Sequence, residues 1–209
     1  YMDGIDAEYI EDSEVQKLRI MQGDIDWNHF HGIALSDVGT LRDNEADGNY
    51  EVRFWDSGSG TGQMYFWNHD HPDEQRRELY RNPKFKQAMS LALDRPRIKT
   101  VVYYETGMLT TGTMSPKAIE FNFNAEAQAL YQEARDAYVD YDPDQAMSLL
   151  DEIGVVDATG DGWRDFPDGT PLEISVDVQA DAGNEAMRTL EIAAENWREV
   201  GLNIIINQI

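Results

Sequence analysis

The sequence contains no cysteine, few lysines and no long apolar run, and each of these absences excludes something. Without cysteine the chain forms no disulfides and has no thiolate for catalysis or metal binding. No run of 18 apolar residues occurs, so no segment is predicted to span a membrane as a helix. Only five of the 17 basic residues are lysine. This bias suits a salt-adapted organism and equally an acidic secreted protein.

Acidic residues dominate what is present. Forty Asp and Glu against 17 Lys and Arg give a formal net charge of −23. A surface of that sign repels nucleic acid and anionic lipid, so we expect neither as a partner. The hydrophobic content of 41% is enough for a packed core over 209 residues. The chain opens on Tyr1 and shows no signal peptide, from which we expect a piece cut from a longer protein.

The clearest helical pattern covers residues 82–95. Asn82 is suited to cap a helix, and Pro83 is suited to its first position. We predict that Pro96 limits the helix after Asp94 and Arg95. The apolar positions recur at i, i+3, i+4, i+7 and i+8, as on one face of a helix, and they are Phe85, Ala88, Met89, Ala92 and Leu93.

The string Asn-Pro-Lys-Phe-Lys-Gln-Ala-Met-Ser-Leu-Ala-Leu-Asp-Arg in that pattern resembles the signature of the family 5 extracellular solute-binding proteins. Members of this family are the peptide, nickel and sugar receptors of ABC importers. Three further stretches resemble the family in the same order. They are Gly-Asp-Ile-Asp within 18–26, the Ala-x-x-Leu-Leu helix of 142–154, and the helix and strand of 197–206. One departure is Lys86, where the family usually has Arg.

This resemblance implies a fold and a function. The fold would be α/β of mixed α+β type, the type II lobe of a periplasmic binding protein, within a fragment of a two-lobed receptor. Residues 1–58 would end the first lobe, and 59–209 would form a second lobe that is truncated at its C-terminus. The protein would be no enzyme. It would capture a small peptide or similar solute between lobes that close by hinge motion, for an ABC permease in the membrane.

The same resemblance places the receptor in the periplasm or outside the cell, as a monomer that a lipoprotein anchor could hold to the membrane. It does not identify the solute.

Periodicity and turn residues predict the remaining elements. Helices are predicted at 13–22, where Ser13 and Gln16 form a capping box, and at 33–44, 97–104, 124–139, 142–154 and 183–200. Strands are predicted at 25–27, 50–55, 63–68, 172–178 and 202–206. In the stretch 63–68 both faces carry bulky side chains, which favours burial on both sides or one face in a cleft.

The resemblance also implies where ligand would bind. It places two segments at the border of the cleft: the one after Gly-Asp-Ile-Asp and the strand after the glycine-rich loop 57–62. The predicted ligand-binding residues in these segments are Asn28, His29, Trp55, Gln63 and Tyr65. Aromatic faces and a few hydrogen bonds in a desolvated cleft would hold the solute. Core packing is the alternative explanation for the aromatic residues, Trp27, Trp55, Tyr65 and Trp67.

The loop 157–168 has the spacing of a calcium-binding loop. Oxygen-bearing side chains occupy positions 1, 3, 5, 9 and 12, and they are Asp157, Thr159, Asp161, Asp165 and Asp168. Gly162 stands at position 6, where such a loop turns sharply. Position 12 carries Asp instead of the longer Glu, and a helix and a strand flank the loop instead of two helices. A structural Ca²⁺ site and a self-bonded Asx turn therefore stay open as alternatives.

Two other functions compete with the receptor. All four histidines occur in His-x-His pairs, His29/His31 and His69/His71, and each pair could grip a transition metal in an extended segment. A metal-chelate scavenger would use them, whereas loop histidines are the simpler explanation. A secreted acidic hydrolase with structural calcium is the second rival. The serines of the loop 57–62 lack the strand–turn–helix setting of a nucleophile elbow.

Overall fold

A computed structural model describes residues 3–28, 33–55, 58–59, 62–112, 114–180 and 184–209. The chain divides into two compact units, Tyr1–Asp56 and Ser57–Ile209. The assignment of 1–58 and 59–209 to the two lobes of a receptor stays a prediction. None of the helices in the described ranges is long and apolar enough to cross a membrane.

The smaller unit consists of short helices. They are α1 (Ser13–Met21), a 3-10 turn (Leu35–Asp37), α2 (Val38–Asp43) and α3 (Glu45–Gly48). The carboxylate of Asp12 accepts hydrogen bonds from the backbone N–H groups of Glu14 and Val15 and so caps α1. The predicted Ser13 capping box is therefore wrong by one residue. The predicted helix 33–44 forms as the 3-10 turn Leu35–Asp37 followed directly by α2, and Asn44 ends α2 with a backbone outside helical geometry.

A close approach of two glycines joins α1 to α3. Gly23 has φ +76°, and a Cβ atom built on it would lie 2.6 Å from the carbonyl oxygen of Gly48. A Cβ on Gly48 would in turn lie 2.5 Å from the carbonyl oxygen of Met21. Only glycine tolerates both the left-handed backbone and this contact. The glycine of the Gly-Asp-Ile-Asp segment thus has a packing role.

The larger unit carries the longer elements. They are α4 (Glu74–Arg81), α5 (Pro83–Leu91), α6 (Arg95–Val101), α7 (Ile119–Asn122), α8 (Ala125–Asp136), α9 (Pro143–Glu152), β1 (Glu173–Val178), α10 (Glu185–Glu199) and β2 (Asn203–Gln208). Except for α7, each helix begins after an Asp or Asn whose side chain accepts a backbone N–H of the first turn. These caps are Asp73, Asn82, Asp94, Asn124, Asp142 and Asn184.

The two strands pair in parallel, in register from Glu173 opposite Asn203 to Val178 opposite Gln208. Helix α10 connects them, so that β1, α10 and β2 form a βαβ unit. Helix α10 packs on β2, and α5 packs on α9. The most deeply buried side chains of the shared core include Phe85, Val102, Leu150, Leu172, Ile174, Leu190, Trp197, Leu202 and Ile204. Both strands and the helices α9 and α10 lie where the sequence pattern predicts them.

The signature stretch 82–95 is not one helix, and the predicted length was wrong. Helix α5 ends at Leu91. The carboxylate of Asp94 then accepts the N–H of Arg97 at 2.9 Å and caps α6. Pro96 lies in the first turn of α6, where a residue without an N–H is tolerated. Asp94 and Pro96 together therefore begin a new helix instead of limiting the old one.

The strands predicted at 25–27, 50–55 and 63–68 do not form in the described chain. A strand requires a hydrogen-bonded neighbour, and β1 with β2 is the only ladder that the described residues make. Side chains of the stretch 63–68 nevertheless alternate between the core and solvent. Tyr65 and Trp67 pack against the core, whereas Met64 and Phe66 are exposed.

Three other segments satisfy the last carbonyls of α5. A helix leaves its last four carbonyls without intrahelical partners, and here the partners come from α10, α6 and the loop before α9. The contacts are Trp197 Nε1 to Met89 O at 2.9 Å, Arg95 Nη1 to Ser90 O at 2.8 Å, and Asp142 N to Leu91 O at 2.8 Å. The C-terminus of α5 is therefore the point at which the larger unit is joined together.

We expect Trp197→Phe to lower the free energy of unfolding of the protein by about 2 kcal/mol, because it leaves the buried carbonyl of Met89 unpaired and opens space in the core. Chemical denaturation followed by circular dichroism measures this loss. Trp163→Phe, at a position that is 37% exposed, is the matched control and should cost less than about 0.5 kcal/mol. Equal losses in the two variants would contradict the central role of Trp197.

Candidate functional site

The predicted ligand residues fall in both units. Asn28 and Trp55 belong to the smaller unit, and Gln63 and Tyr65 belong to the larger one. His29 lies outside the described residues. The structure therefore supplies two separate candidate surfaces, one in each unit.

The surface of the smaller unit is a pair of tryptophans. The rings of Trp27 and Trp55 have their centroids 5.7 Å apart, with their planes inclined by 51°. Each side chain is 67% exposed. Trp27 follows directly on Gly-Asp-Ile-Asp but was not among the predicted ligand residues, although the same argument that selected Asn28 could have selected it. The pair offers a bent apolar surface to solvent.

The segments that carry the two tryptophans are tied to the helices of the unit. The side chain of Gln16, on α1, donates to Asn28 Oδ1 at 2.6 Å, next to Trp27. The backbone N–H of Val52 donates to the Glu45 carboxylate of α3 at 2.8 Å, three residues before Trp55. The Arg42 guanidinium of α2 lies 5.1 Å from the centroid of the Phe54 ring. These contacts hold both tryptophans although neither lies in a helix or strand.

In the larger unit, Tyr65 packs against the core, and its hydroxyl is influenced by Gln63, Arg95 and Tyr103. Its ring packs edge-on against Trp197 with the centroids 5.0 Å apart. Its hydroxyl oxygen is buried and forms no hydrogen bond of standard geometry among the described residues. Burial raises the pKa of Tyr65, Tyr103 adds to this effect, and Arg95 and the side chain of Gln63 partly offset it. The environment of Tyr65 is thus that of a residue packed on the core, and its role as a ligand residue stays a prediction.

Arg95, the last residue of the signature stretch, is the cation that acts on the pKa of Tyr65. Its guanidinium donates to the backbone carbonyl and hydroxyl of Ser90, both at 2.8 Å, and to the carbonyl of Val139 at 3.4 Å. It forms no ion pair with a carboxylate among the described residues, and burial lowers its pKa. The negative end of the α5 dipole takes the place of a carboxylate. Arg95 therefore has a structural explanation that the sequence pattern alone did not reveal.

The acidic loop 157–168 binds its own backbone. Asp157 accepts from the N–H groups of Gly160 at 2.6 Å and Gly162 at 2.9 Å. Asp165, only 2% exposed, accepts from those of Ala158 at 2.9 Å and Thr159 at 3.1 Å. These are the bonds of an Asx-turned loop.

The other two carboxylates of the loop are also engaged. Asp161 accepts from the N–H of Trp163 at 2.9 Å. Asp168 accepts from the backbone and hydroxyl of Thr170 and from the side chain of Gln75, contacts that hold its pKa below the usual value. Within the described ranges no three His, Asp or Glu side chains come together as metal ligands. The structure thus does not assemble the predicted calcium set, Asp157, Thr159, Asp161, Asp165 and Asp168, because the carboxylates face backbone N–H groups.

The histidine pairs contribute no assembled site to the described chain. His71 accepts the N–H of Asp73 on Nδ1 at 3.1 Å, and its ring lies edge-on to Tyr80 at 6.0 Å. His69 is exposed. The other pair, His29 and His31, lies outside the described residues, so joint metal binding by the two pairs stays a prediction.

Comparison with known proteins identifies the family. The model of the bacterial extracellular solute-binding proteins, family 5 Middle, matches residues 1–209. The chain belongs to this family, and its mixed helix-and-sheet fold matches part of a type II periplasmic binding protein. A curated relative, the periplasmic alpha-galactoside-binding protein of Rhizobium meliloti strain 1021, is 26% identical in an alignment of length 175 that covers 77% of this chain and 22% of the relative.

Solved structures agree with this fold. The oligopeptide-binding protein OppA is 27% identical, with a TM-score of 0.70 over 97% of this chain and 31% of its own. A periplasmic oligopeptide-binding protein of Thermotoga maritima is 22% identical, with a TM-score of 0.70 over 96% of this chain and 35% of its own. MelB of Agrobacterium fabrum C58, solved with stachyose, is 23% identical, with a TM-score of 0.64 over 96% of this chain and 30% of its own. The chain thus spans about a third or less of the length of these relatives.

The buried hydroxyl of Tyr65 gives a pH-dependent prediction. We expect Tyr65→Phe to leave the free energy of unfolding at pH 7 unchanged or up to about 1 kcal/mol higher, because no complete hydrogen bond is lost. The folded-state pKa of Tyr65 is raised, so the folded state holds the hydroxyl proton more tightly than the unfolded state, and the stability of the unmodified protein falls as pH rises above the ordinary value of 10. The variant should therefore lose less stability than the unmodified protein between pH 9 and pH 11.5.

Denaturant titrations at the two pH values measure this difference. Tyr104→Phe, at a position that is 50% exposed, is the control at pH 7 and should change stability by less than about 0.5 kcal/mol. A loss of more than about 1 kcal/mol for Tyr65→Phe at pH 7 would show that the hydroxyl is bonded after all.

The acidic loop gives a prediction about calcium. Asp165→Asn should lower the free energy of unfolding by about 1–3 kcal/mol, because it weakens two charge-assisted hydrogen bonds at a buried carboxylate. The exposed Asp161→Asn is the matched control and should cost less than half as much. The thermal midpoint of the unmodified protein and of both variants should be the same in millimolar Ca²⁺ as in EDTA. If Ca²⁺ raised the thermal midpoint and Asp157→Asn abolished that rise, the loop would bind calcium after all.

Proposed function

We propose that this chain forms part of the substrate-binding component of an ABC importer, which captures a small peptide or similar solute without covalent chemistry. The observation that carries the proposal is the family match over residues 1–209. The structural likeness to OppA over 97% of the chain supports it. Lobes that close on a solute and present the closed state to a permease would be the mechanism.

Residues of both units would contribute to the cleft of such a receptor. Trp55 and Asn28 would do so from the end of the first lobe, for which we propose residues 1–58. Gln63 and Tyr65 would do so from the second lobe, for which we propose 59–209. Tyr65 keeps its place in this set on the sequence resemblance, since the burial of its hydroxyl gives a ligand no direct access to that atom. His29 keeps its place in the set on the sequence resemblance alone.

The partners and location follow the family. Family 5 proteins are extracellular solute-binding proteins, so the receptor would work in the periplasm or outside the cell, with a membrane permease as its partner. We propose a monomer that a lipoprotein anchor could hold at the membrane. The net charge of −23 argues against binding to nucleic acid.

A neutral oligosaccharide is the second candidate solute. The curated relative that is 26% identical is named for alpha-galactoside binding. The exposed tryptophan pair supports this class because aromatic faces suit uncharged ring-shaped ligands. The comparisons give no support to a hydrolase, and a metal-chelate scavenger rests only on the spacing of the histidines.

A binding measurement on the full-length receptor tests the proposal. We expect calorimetry to detect a peptide or oligosaccharide with a dissociation constant in the micromolar range or below. Small-angle scattering should show a smaller radius of gyration with ligand than without it, because the lobes close. Turnover of a glycoside or peptide substrate, or the absence of any bound solute from both classes, would contradict the proposed function.

A further inference from the structure

The smaller unit has very little hydrophobic core. Among its described residues the buried apolar side chains are Ile20 and Leu41, and the other buried apolar side chains of the chain all belong to the core of the larger unit. A pocket of about 280 Å³, lined by Leu18 and Met21 of α1 and by Thr40 and Leu41 of α2, lies between these two helices. Burial of apolar surface is the main force that stabilises a fold. Weaker forces therefore decide whether this unit is ordered.

Negative charge is concentrated in the same unit. Residues 1–56 contain fourteen acidic and four basic residues, a surplus of ten negative charges in a chain whose total surplus is 23. The larger unit spreads the other thirteen over 153 residues. The smaller unit therefore carries about twice as much net negative charge per residue as the larger one.

Ion pairs offset little of the repulsion between these acids. Lys17, on α1, joins its helix to the 3-10 turn, with its ammonium nitrogen 3.0 Å from a carboxylate oxygen of Asp37. Both side chains of this pair are mostly buried, 15% and 19% exposed, so salt screens the pair only partly. The pairs with exposed carboxylates contribute little at any salt concentration, and they are Lys17 with Glu14, Arg19 with Glu8 and Arg53 with Glu51.

Salt changes the range over which the surplus acids repel one another. A compact unit of 56 residues has a radius of gyration of about 10 Å, against about 22 Å for the unfolded chain, so folding brings the acids closer together. The screening length is about 30 Å in 0.01 M salt and about 3 Å in 1 M salt. In dilute salt each surplus charge therefore repels all the others across the unit, whereas in 1 M salt only neighbouring charges interact. Salt thus removes a cost of folding that dilute solution imposes on this unit.

We propose that the smaller unit is an ionic-strength-dependent element, which is ordered when salt screens its acids and opens when salt is dilute, while the larger unit stays folded in both conditions. The extensive core and lower charge density of the larger unit account for the difference. Helices α1, α2 and α3 hold the segments that carry Trp27 and Trp55, so salt would also control whether this aromatic surface is formed. The inference does not depend on the proposed receptor function.

Hydrogen exchange of the 209-residue chain, resolved by mass spectrometry, tests this in 0.01 M and 1 M KCl. After correction for intrinsic exchange rates, we expect the amides of α1 and α2 to exchange about tenfold or more faster in 0.01 M than in 1 M KCl. The amides of α5 and α10 should differ by less than about threefold. NaCl and tetramethylammonium chloride at the same ionic strength should act like KCl, because screening does not distinguish these cations.

Charge-neutral variants separate repulsion from other effects of salt. Asp24→Asn, Asp26→Asn and Asp43→Asn combined remove three exposed acids of the smaller unit that take part in no ion pair of the described chain. In 0.01 M KCl this variant should slow exchange in α1 and α2 by about threefold or more. The matched control neutralises three exposed acids of the larger unit and should change that exchange by less than about twofold, and it combines Glu133→Gln, Asp140→Asn and Glu191→Gln.

Four results would overturn the inference. Equal exchange of α1 and α2 at the two salt concentrations would show that the unit does not respond to ionic strength. An equal response of α5 and α10 would show that the effect is not confined to the smaller unit. Protection by K⁺ but not by tetramethylammonium would show a specific cation site instead of screening. Protection by salt without any effect of the triple Asp→Asn variant would show that the surplus acids are not the cause.

Discussion

The larger unit depends on how the C-terminus of α5 is satisfied. The indole N–H of Trp197, the guanidinium of Arg95 and the backbone N–H of Asp142 each pair with one of its last carbonyls. These donors come from three different segments, so the helix end cannot be fully bonded until the βαβ unit, α6 and the start of α9 are all in place. An unpaired buried carbonyl is costly, which makes the assembly cooperative.

That constraint explains why the family signature is informative although none of its side chains points to a ligand by itself. Its apolar stripe fills the core, and its closing Asp and Arg divide one helix from the next and bond the end of the first. The pattern is thus one of helix termination and packing. Residues 63–68 pack against the same core on one side, with the Tyr65 ring edge-on to Trp197.

Local signals account for what could be predicted from the sequence. Helices α5, α9 and α10 and both strands were predictable because caps, stripes and alternation lie within a few residues of each other. The end of α5 at Leu91 was missed because Asp94 can cap the next helix, α6, only if the chain leaves helical geometry before it. The stretch 63–68 was misassigned because a strand depends on a neighbour distant in sequence. Trp27 and Trp55 lie 28 positions apart, and the bonds of the loop 157–168 depend on its folded backbone, so neither geometry could be read from spacing.

The tryptophans of this chain fall into environments that differ in their optical behaviour. Trp197 is buried, hydrogen-bonded to a backbone carbonyl and surrounded by apolar side chains, so its fluorescence is shifted to the blue and reports on the integrity of the larger unit. Trp27 and Trp55 are solvated and in contact with each other, so their emission is red-shifted and accessible to a soluble quencher. In a Trp163→Phe background, which removes the exposed tryptophan of the larger unit, quenchable emission would therefore report on the smaller unit and blue-shifted emission on the larger one, without any added label.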